Sequence, residues 1–350
     1  MTPITLSKIE SPTQRFALAD IHLTRKKVES YPEAIPVTER NHIPVMLPEV
    51  LRALEVKPGV TCIDANLGQG GHAKAILQAS APDGTVLGID ADAEAIASAT
   101  ELLATSPDLA RRMTTANANF RDILNVAEEY GHRPCSVDCI LFDLGLSSLQ
   151  LDTERRGFSF RRPDPLDMRF DVRQTLTAEE IVNQYDRNDI ADLIYRYGEE
   201  RSSRRIAAAI VAARPLLTAT QLANVIARAM PTRRGSKRIH PATKTFQALR
   251  IAVNDELGAL ENGLELAISL LKPGGRIAVI AYHSLEDRIV KNLFRREATD
   301  CVCPPERPVC DCLHIATVRL VSRRVIKPSQ AEIERNPRSR SGRLRVVERI

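Results

Sequence analysis

The fold of this chain is decided by residues 61–72, which read Thr-Cys-Ile-Asp-Ala-Asn-Leu-Gly-Gln-Gly-Gly-His. The first four residues form a short apolar run that ends in an acid, which is typical of a buried parallel strand. The glycines that follow allow the backbone to turn without a Cβ clash and to approach a bound ligand closely. The stretch therefore predicts a strand, a ligand-binding turn and the beginning of a helix.

The sequence outward from this stretch repeats the same alternation of strands and helices. Helical stretches are predicted over residues 71–80 and 91–105, between the apolar runs. The further strands are predicted at Thr85–Asp90, Val137–Asp143 and Arg276–Ala281, with a weak one near 113–116. Such alternation predicts an α/β fold with a doubly wound, Rossmann-like parallel sheet.

The alternation stops between residues 150 and 240, where the sequence is helical. Thr177 and Thr218 each precede a Glu or Gln by three residues, which is the pattern of a capping box at the start of a helix. A long helical pair follows from about residue 241 to 271 and ends at Lys-Pro-Gly-Gly. The predicted parts are a mobile N-terminal extension (1–40), a discontinuous sheet domain (41–150 and 240–350) and a helical insertion for substrate recognition (151–239).

The composition is that of a globular protein in a reducing compartment. Hydrophobic residues make up 43% and charged residues 27% of the 350 residues, which excludes fibrous classes. The longest apolar run, Ile206–Ala213, is too short to span a bilayer, and the N-terminus lacks the pattern of a secretory signal. Seven cysteines, an odd number, argue against a disulfide scaffold. We expect a cytoplasmic protein with no membrane partner.

Two nucleotide cofactors compete for the glycine-rich turn. The spacing Gly68-x-Gly70-x-x-Ala73 also matches the dinucleotide fingerprint of nicotinamide enzymes. In those sites a pyrophosphate meets the helix N-terminus, and the Asp64 carboxylate at the strand end would repel it. The same carboxylate suits the ammonium group of an amino-acid cofactor, so the turn favours S-adenosylmethionine. Asp90, at the end of the next strand, suits the ribose hydroxyls of either cofactor.

The strand Val137–Asp143 leads into a polar motif, Asp-Leu-Gly-Leu-Ser-Ser, at residues 143–148. In open α/β sheets, ligands bind beyond the carboxyl ends of the strands. An exocyclic amine conjugated to a base ring is a poor nucleophile, and it needs an acceptor that orients it and withdraws a proton. Asp143 and Ser147 are the candidate catalytic residues for such an amine, although a strand-end Asp also serves as a loop cap.

Motifs spread from residue 42 to residue 349 carry a family resemblance. They are His42–Leu47, Gly68–His72, Asp143–Ser148 with Gln150–Asp152, Arg156–Phe160, Pro165–Arg169, Tyr197–Arg201, His240–Arg250, His283–Arg288 and Asn336–Ser341. In this order they resemble the motifs of the MraW (RsmH) family, the bacterial small-subunit ribosomal RNA cytidine N4-methyltransferases. The resemblance covers nearly the whole chain after the N-terminal extension.

The resemblance implies a fold, a cofactor and a reaction. The fold is a class I (Rossmann-like) S-adenosylmethionine-dependent methyltransferase sheet with an inserted helical domain. The reaction is methyl transfer from S-adenosyl-L-methionine to N4 of a cytidine in 16S ribosomal RNA, by family resemblance the decoding-site cytidine 1402. The cofactor contacts that it implies are Gly70, Gly71, His72, Asp90, Phe120, Asp143 and Gln150.

On the substrate side, the target base must be extruded or already unstacked, because its amine is out of reach inside paired RNA. His283 is a candidate for contacting the cytosine edge or relaying a proton, or is merely structural. Phe158, Phe160 and Tyr282 are the candidate stacking rings. The expected partner is small-subunit ribosomal RNA, free or in the assembled 30S subunit, and no DNA partner is expected.

The net charge of +5 is small, so RNA binding depends on local clusters of basic residues. The 32 residues from Arg319 contain ten Lys or Arg and three Glu. They form either a solvated tail or an RNA-binding edge. The other basic clusters are Arg161–Arg162 and the group Arg233, Arg234, Lys237 and Arg238.

Four cysteines near the C-terminus leave a question about metal. Cys301-x-Cys303 and Cys310-x-Cys312 are candidate zinc ligands, but the spacing is tighter than the usual C-x₂-C, so we expect no metal.

Two rival functions stay open at the sequence level. One is a non-catalytic RNA-binding ribosome assembly factor that merely retains the cofactor loop. The other is an amino methyltransferase that acts on DNA. A dehydrogenase is disfavoured by Asp64.

Overall fold

The computed structural model describes residues 43–147, 150, 156–230, 240–304, 306–307 and 309–350. The predicted N-terminal extension and the predicted basic cluster at 233–238 lie outside the described residues. None of the helices among the described residues combines the length and the apolar character needed to span a bilayer.

Seven strands and thirteen α-helices are named here in chain order, over the residues that the structure describes. The strands are β1 Thr61–Asp64, β2 Thr85–Asp90, β3 Met113–Asn117, β4 Val137–Asp143, β5 Leu271–Ala281, β6 Val318–Leu320 and β7 Arg343–Arg349. The helices that precede β4 are α1 Leu47–Ala53, α2 Gly71–Ala79, α3 Ala93–Ala104, α4 Pro107–Ala110 and α5 Ile123–Glu129. Those that follow it are α6 Ala178–Gln184, α7 Arg187–Gly198, α8 Ser203–Ala212, α9 Ala219–Ala229, α10 Thr243–Asn254, α11 Glu256–Leu270, α12 Ser284–Glu297 and α13 Gln330–Arg335.

The strands form one sheet in the order β3-β2-β1-β4-β5-β7-β6. Strands β1 to β5 are parallel, and β7 runs antiparallel to both β5 and β6. The chain order reverses between β1 and β4, which pair directly through Ile63 and Ile140. In open α/β sheets the ligand crevice lies beyond the carboxyl ends of the strands at such a reversal. The topology therefore places the glycine-rich turn after β1 beside the polar motif after β4.

The sheet is buried on both faces, which explains the near-continuous apolar runs of its central strands. Side chains of Ile63, Ile140 and Val279 pack on one face with residues of α5, α11 and α12. Their neighbours in sequence, such as Cys62 and Cys139, pack on the other face with α1, α2 and α3. The two cysteines are fully buried, so their thiols serve as small core side chains.

Strand β5 begins five residues earlier than predicted. Leu271 already pairs with Val137, and Arg276 pairs with Cys139, so residues 272–275 bulge out of the ladder. The Lys-Pro-Gly-Gly sequence is therefore an irregularity within the strand rather than the end of the preceding helix. Lys272 Nζ lies 3.0 Å from Asp138 Oδ2 and fixes the bulge to β4.

Helices α6 to α9 surround a third apolar cluster, separate from the two that flank the sheet. Thr177 Oγ1 accepts from Glu180 N, and Thr218 forms a complete capping box with Gln221, as the sequence predicted. Helix α10 also packs into this cluster through Phe246 and Leu249. The helical packing thus extends beyond residue 239, while the proposed domain boundaries and their substrate role stay predictions.

The basic C-terminal stretch is folded into the sheet, so it is not a solvated tail. Strand β7 lies between β5 and β6, and its residues Leu344 and Val346 are buried. Arg343 and Arg345 both lie within 3.2 Å of the Asp287 carboxylate on α12. The charges of Arg343 and Arg345 are therefore neutralised within the fold, whereas other basic side chains of this stretch are exposed, namely Arg323, Arg324, Lys327, Arg335, Arg338 and Arg340.

Candidate active site

A cavity of about 540 Å³ opens at the carboxyl ends of the central strands. Its volume is in the range of small-molecule and cofactor sites. The sheet side of its lining includes Asn66, Gly71, His72, Asp90, Phe120, Asp143, Ser147, Gln150, Tyr282 and His283. The opposite wall includes Phe158, Phe160, Met168, Phe170, Phe246 and Arg250. The structure thus brings almost all of the predicted site residues together around one space.

The turn after β1 is held in place by its backbone. Leu67 N donates to Ile89 O at 3.0 Å, and Gly68 N donates to the Asp90 carboxylate at 2.8 Å. Gly70 has φ +79°, and a Cβ there would lie 2.9 Å from the Cβ of Ala99 on α3. Gly70 itself is buried and is not among the residues that line the cavity, and its predicted contact with the cofactor stays a prediction. Its role is to let the turn pass against α3.

Replacing Gly70 with alanine is expected to weaken S-adenosylmethionine binding at least about tenfold, which corresponds to about 1.4 kcal/mol. The new methyl group meets Ala99, and the left-handed backbone adds about 1–2 kcal/mol of strain, so the turn must shift. Isothermal titration calorimetry with the cofactor measures the change. Gly131→Ala is the matched control, because Gly131 has φ +85° with no atom within 4 Å of a Cβ. Equal dissociation constants for the two variants would contradict this account.

The Asp90 carboxylate lies at the cavity after β2. Its oxygens accept hydrogen bonds from Gly68 N at 2.8 Å and Asp92 N at 2.9 Å. Burial raises the pKa of Asp90 to about 6, although both backbone hydrogen bonds lower it. A desolvated carboxylate with lone pairs to spare is suited to accept from ribose hydroxyls, as the sequence predicted.

Asp64 does not line the cavity, contrary to the role given to it in choosing the cofactor. Its side chain is fully buried beneath the turn, with Oδ1 3.3 Å from Asn66 N. Burial raises the pKa of Asp64 to about 7, while the nearby His72 lowers it. The sequence could not show this, because the strand end gives the position of Asp64 but not the direction of its side chain.

The Asp143 carboxylate, at the end of β4, lines the cavity as Asp90 does. Tyr282 Oη donates to Asp143 Oδ1 at 2.7 Å, and His72 Nε2 lies 3.4 Å from Oδ2. Burial lowers the pKa of His72, but the adjacent Asp143 and Asp64 carboxylates raise it more, so the net shift is upward. Tyr282 stays a phenol, because burial and the Asp143 charge raise its pKa well above the ordinary value. Asp143 is thus fixed from both sides at the floor of the cavity.

Ser147 and Gln150 are joined by two hydrogen bonds in the segment that follows β4. Ser147 N donates to Gln150 Oε1 at 3.1 Å, and Gln150 N donates to Ser147 Oγ at 3.2 Å. Gln150 Nε2 donates to the buried Asp92 carboxylate at 3.1 Å. Both side chains line the cavity, as predicted, and Gln150 joins the motif to the start of α3. The intervening residues 148–149 lie outside the described residues.

His283 caps helix α12 and also lines the cavity. Its Nδ1 accepts from Glu286 N at 3.4 Å, and its Nε2 lies 3.1 Å from Glu286 Oε1. Burial raises the pKa of Glu286, but the contact with His283 outweighs this effect, so the net shift of the pKa is downward. His283 therefore has a structural contact at the helix start, and its predicted role toward the substrate stays a prediction.

Sequence reasoning missed several polar side chains of the opposite wall. Arg250 holds Glu256 through two hydrogen bonds of 2.7 and 2.8 Å. Asn254 accepts from Phe170 N at 2.7 Å and donates to Met168 O at 2.8 Å. Arg250 belongs to the motif His240–Arg250, so the sequence did carry a signal for this residue. Asn254 and Glu256 come from a helix junction that carries no motif.

The predicted stacking rings are already engaged with protein side chains. Phe158 is buried and stacks on Phe170 with ring centroids 5.6 Å apart. Phe160 stacks on His240 at 4.6 Å. Phe120 meets Phe142 edge-on at 5.6 Å and lines the cavity beside Leu260, so it forms an apolar wall suited to an adenine ring.

These features fit S-adenosylmethionine. The buried Asn66 Oδ1 and His72 Nδ1 have no hydrogen-bond partner in the part of the chain that the structure describes, which leaves polar atoms for a ligand at the turn. The carboxylates of Asp90 and Asp143 at the cavity disfavour a pyrophosphate and suit ribose hydroxyls and a cationic amino-acid group. An apolar wall at Phe120 completes a site for a nucleoside joined to an amino acid.

A profile of the MraW methylase family matches residues 39–350. The chain belongs to this family. The ribosomal RNA small subunit methyltransferase H of Dehalococcoides mccartyi is 54% identical over 314 residues, which are 90% of this chain and 88% of that protein. The protein of the same name from Thermomicrobium roseum is 53% identical over 312 residues, 88% of this chain and 94% of its own length. A solved putative rRNA methylase from Clostridium thermocellum has a TM-score of 0.42 at 15% identity, covering 89% of this chain and 100% of that chain, a likeness too distant to bear on the fold.

Membership of the MraW methylase family confirms three predictions. They are the family resemblance, the class I methyltransferase fold and the cofactor S-adenosylmethionine. The chain is therefore an S-adenosylmethionine-dependent methyltransferase, and the dehydrogenase alternative is wrong. The roles of the individual site residues stay predictions, which the following experiments address.

Proposed function

We propose that this methyltransferase acts in the cytoplasm on N4 of a cytidine in 16S ribosomal RNA, at the decoding-site position 1402. The names of the relatives support a small-subunit ribosomal RNA substrate. The observation that carries the proposal is the placement of Asp143. Its carboxylate lies at the floor of the cavity, between Tyr282, which follows β5, and His72, which follows the glycine-rich turn.

This placement suits an exocyclic amine. When bound, S-adenosylmethionine supplies an electrophilic methyl group on a sulfonium. The Asp143 carboxylate accepts a hydrogen bond from the N4 amine and orients the nitrogen toward that methyl group. With the cofactor bound, its methyl group would pass from sulfur to the nitrogen, and Asp143 or water would take the proton that the nitrogen loses. The products are the methylated base, S-adenosylhomocysteine and a proton.

The opposite wall suits an extruded base. A base inside a duplex presents its amine to a partner base, so the enzyme must receive it in an unstacked form. The aromatic side chains of Phe160 and Phe246 and the Arg250 guanidinium line the cavity that Asp143 also lines. Aromatic rings and guanidinium groups are recurrent contacts of unpaired bases in RNA-binding proteins, so an incoming base would replace the present stacking of Phe160 on His240. This supports a cytidine that enters from the side of the helical cluster.

The direct test is methyl transfer to defined substrates. Tritiated S-adenosylmethionine is incubated with purified 30S subunits, free 16S ribosomal RNA or a DNA oligonucleotide of the decoding-site sequence. Nucleoside mass spectrometry then identifies the product. We expect N4-methylcytidine at one position of the ribosomal RNA and none in the DNA.

Any other outcome would contradict the proposed function. RNA binding without label transfer would favour a non-catalytic assembly factor. Transfer to DNA would favour a DNA amino methyltransferase. Label at a ring carbon or at a ribose would refute the assignment to N4.

A further inference from the structure

The loop between α12 and β6 brings four cysteine thiols together far along the chain from the catalytic motifs. Cys301, Cys303, Cys310 and Cys312 each offer a sulfur atom, and all four atoms lie within 4.8 Å of one another. None of the four lines the cavity. We propose that these residues form a tetrahedral Cys₄ site for one zinc ion.

The sulfur spacing matches a closed zinc site. Zinc–sulfur bonds of about 2.3 Å in tetrahedral geometry place sulfur atoms about 3.8 Å apart. The measured separations are 4.0 Å for Cys303–Cys310, 3.5 Å for Cys310–Cys312 and 4.0 Å for Cys312–Cys301. A disulfide has a sulfur–sulfur bond of about 2.05 Å, and all four residues are free thiols.

The local backbone supports thiolate ligands. Val302 N donates to Cys312 Sγ at 3.4 Å. Hydrogen bonds from outside the ligand set orient metal ligands and tune them. The short C-x-C spacing is therefore compatible with a site in which the backbone folds back onto the sulfurs.

The described residues of the loop form no apolar core, although hydrogen bonds such as those of His314 Nδ1 with Thr299 O and Ala316 N with Asp300 Oδ1 join its two ends. No described residue from Thr299 to Thr317 is buried. Its larger apolar side chains point to solvent, with Val309 exposed by 73% and Leu313 by 92%. Long loops without secondary structure are uncommon in compact domains, and small units without a core are commonly stabilised by a metal or by disulfides. Zinc ligation would supply the missing constraint.

The metal content of the purified full chain tests the proposal. The protein is expressed with zinc in the medium, purified under reducing conditions and analysed by inductively coupled plasma mass spectrometry. We expect about one zinc ion per chain, as in a closed four-cysteine site. Cys303→Ser and Cys310→Ser should each lose the metal. Cys135→Ser is the matched control, because Cys135 is an exposed free thiol outside the loop, and it should retain the metal.

A second measurement keeps the test decisive if a loop variant folds poorly. Zinc is removed from the wild-type chain with a chelator and replaced by cobalt, and the absorption spectrum is recorded. Thiolate-to-cobalt charge transfer with intense tetrahedral d–d bands is the expected result.

Four results would overturn the proposal. They are a wild-type chain without metal, iron in place of zinc, zinc retained by both loop variants, and a mass four hydrogens lower that reveals two disulfides. Methyl transfer is not the readout, so the outcome is independent of the proposed function.

Discussion

Asp143→Asn is expected to lower the rate of methyl transfer at saturating cofactor and RNA by about 10²–10⁴-fold, the range for a lost acid–base group. Asparagine keeps the size and the Tyr282 contact but removes the negative charge that accepts from the amine. The rate is measured as tritium incorporation into 30S subunits or 16S ribosomal RNA, whichever is the substrate. Cofactor affinity is measured separately, so that a loss of binding is not mistaken for a loss of chemistry.

The matched control lies on the same strand. Asp138→Asn changes another β4 aspartate, at the opposite end from the cavity, where it accepts from Thr61 N at 2.9 Å and pairs with Lys272. We expect Asp138→Asn to turn over like the wild type, with at most a modest loss of stability. A near-normal rate for Asp143→Asn would refute the role assigned to this carboxylate, and an equal loss in both variants would point to a structural cause.

The parallel half of the sheet could be predicted from the sequence because its strands follow a local rule. Strands β1, β2 and β4 are apolar runs that end in Asp64, Asp90 and Asp143. Two of those acids meet at the cavity because parallel strands share one carboxyl edge. The sequence cannot distinguish Asp64, which turns inward and is fully buried, because that depends on the path of the turn above it.

Strand β7 could not be predicted, for a different reason. Its apolar residues Leu344, Val346 and Val347 are interleaved with arginines, so the segment looks like a basic tail. The arginines become compatible with a strand only when Asp287 of α12 lies beside Arg343 and Arg345. Asp287 is more than fifty residues away in sequence, and no local pattern predicts this contact.

The polar side chains of the cavity wall opposite Asp143 could not be predicted for a similar reason. Glu256 and Asn254 flank Asp255, whose left-handed backbone separates α10 from α11. The sequence predicted a helical pair from about residue 241 to 271 but not the position of the junction between the two helices. The side chains at this junction are positioned by hydrogen bonds to Arg250 and to the backbone of residues 168–170. Motifs located the functional segments, but tertiary contacts decided which side chains face the cavity.

Arg156→Met is expected to lower the free energy of unfolding by about 3–5 kcal/mol, the cost of leaving a buried charge unpaired. Arg156 Nη2 lies 3.0 Å from Asp92 Oδ2, and both side chains are at least nine-tenths buried. The same guanidinium donates to Arg169 O at 2.9 Å and Phe170 O at 3.2 Å. Methionine fills similar space but satisfies none of these acceptors. Urea unfolding followed by circular dichroism measures the loss.

An exposed pair provides the control, and a double variant separates charge from packing. Arg111→Met breaks a 2.6 Å contact with Asp108 in which both side chains are more than half exposed, so it should cost less than about 1 kcal/mol. Adding Asp92→Asn to Arg156→Met removes the unpaired charge and should recover part of the loss. If Arg156→Met costs no more than Arg111→Met, the buried pair does not hold residues 156–170 against the start of α3. If the double variant recovers nothing, the cost lies in the lost backbone contacts and not in the stranded Asp92 charge.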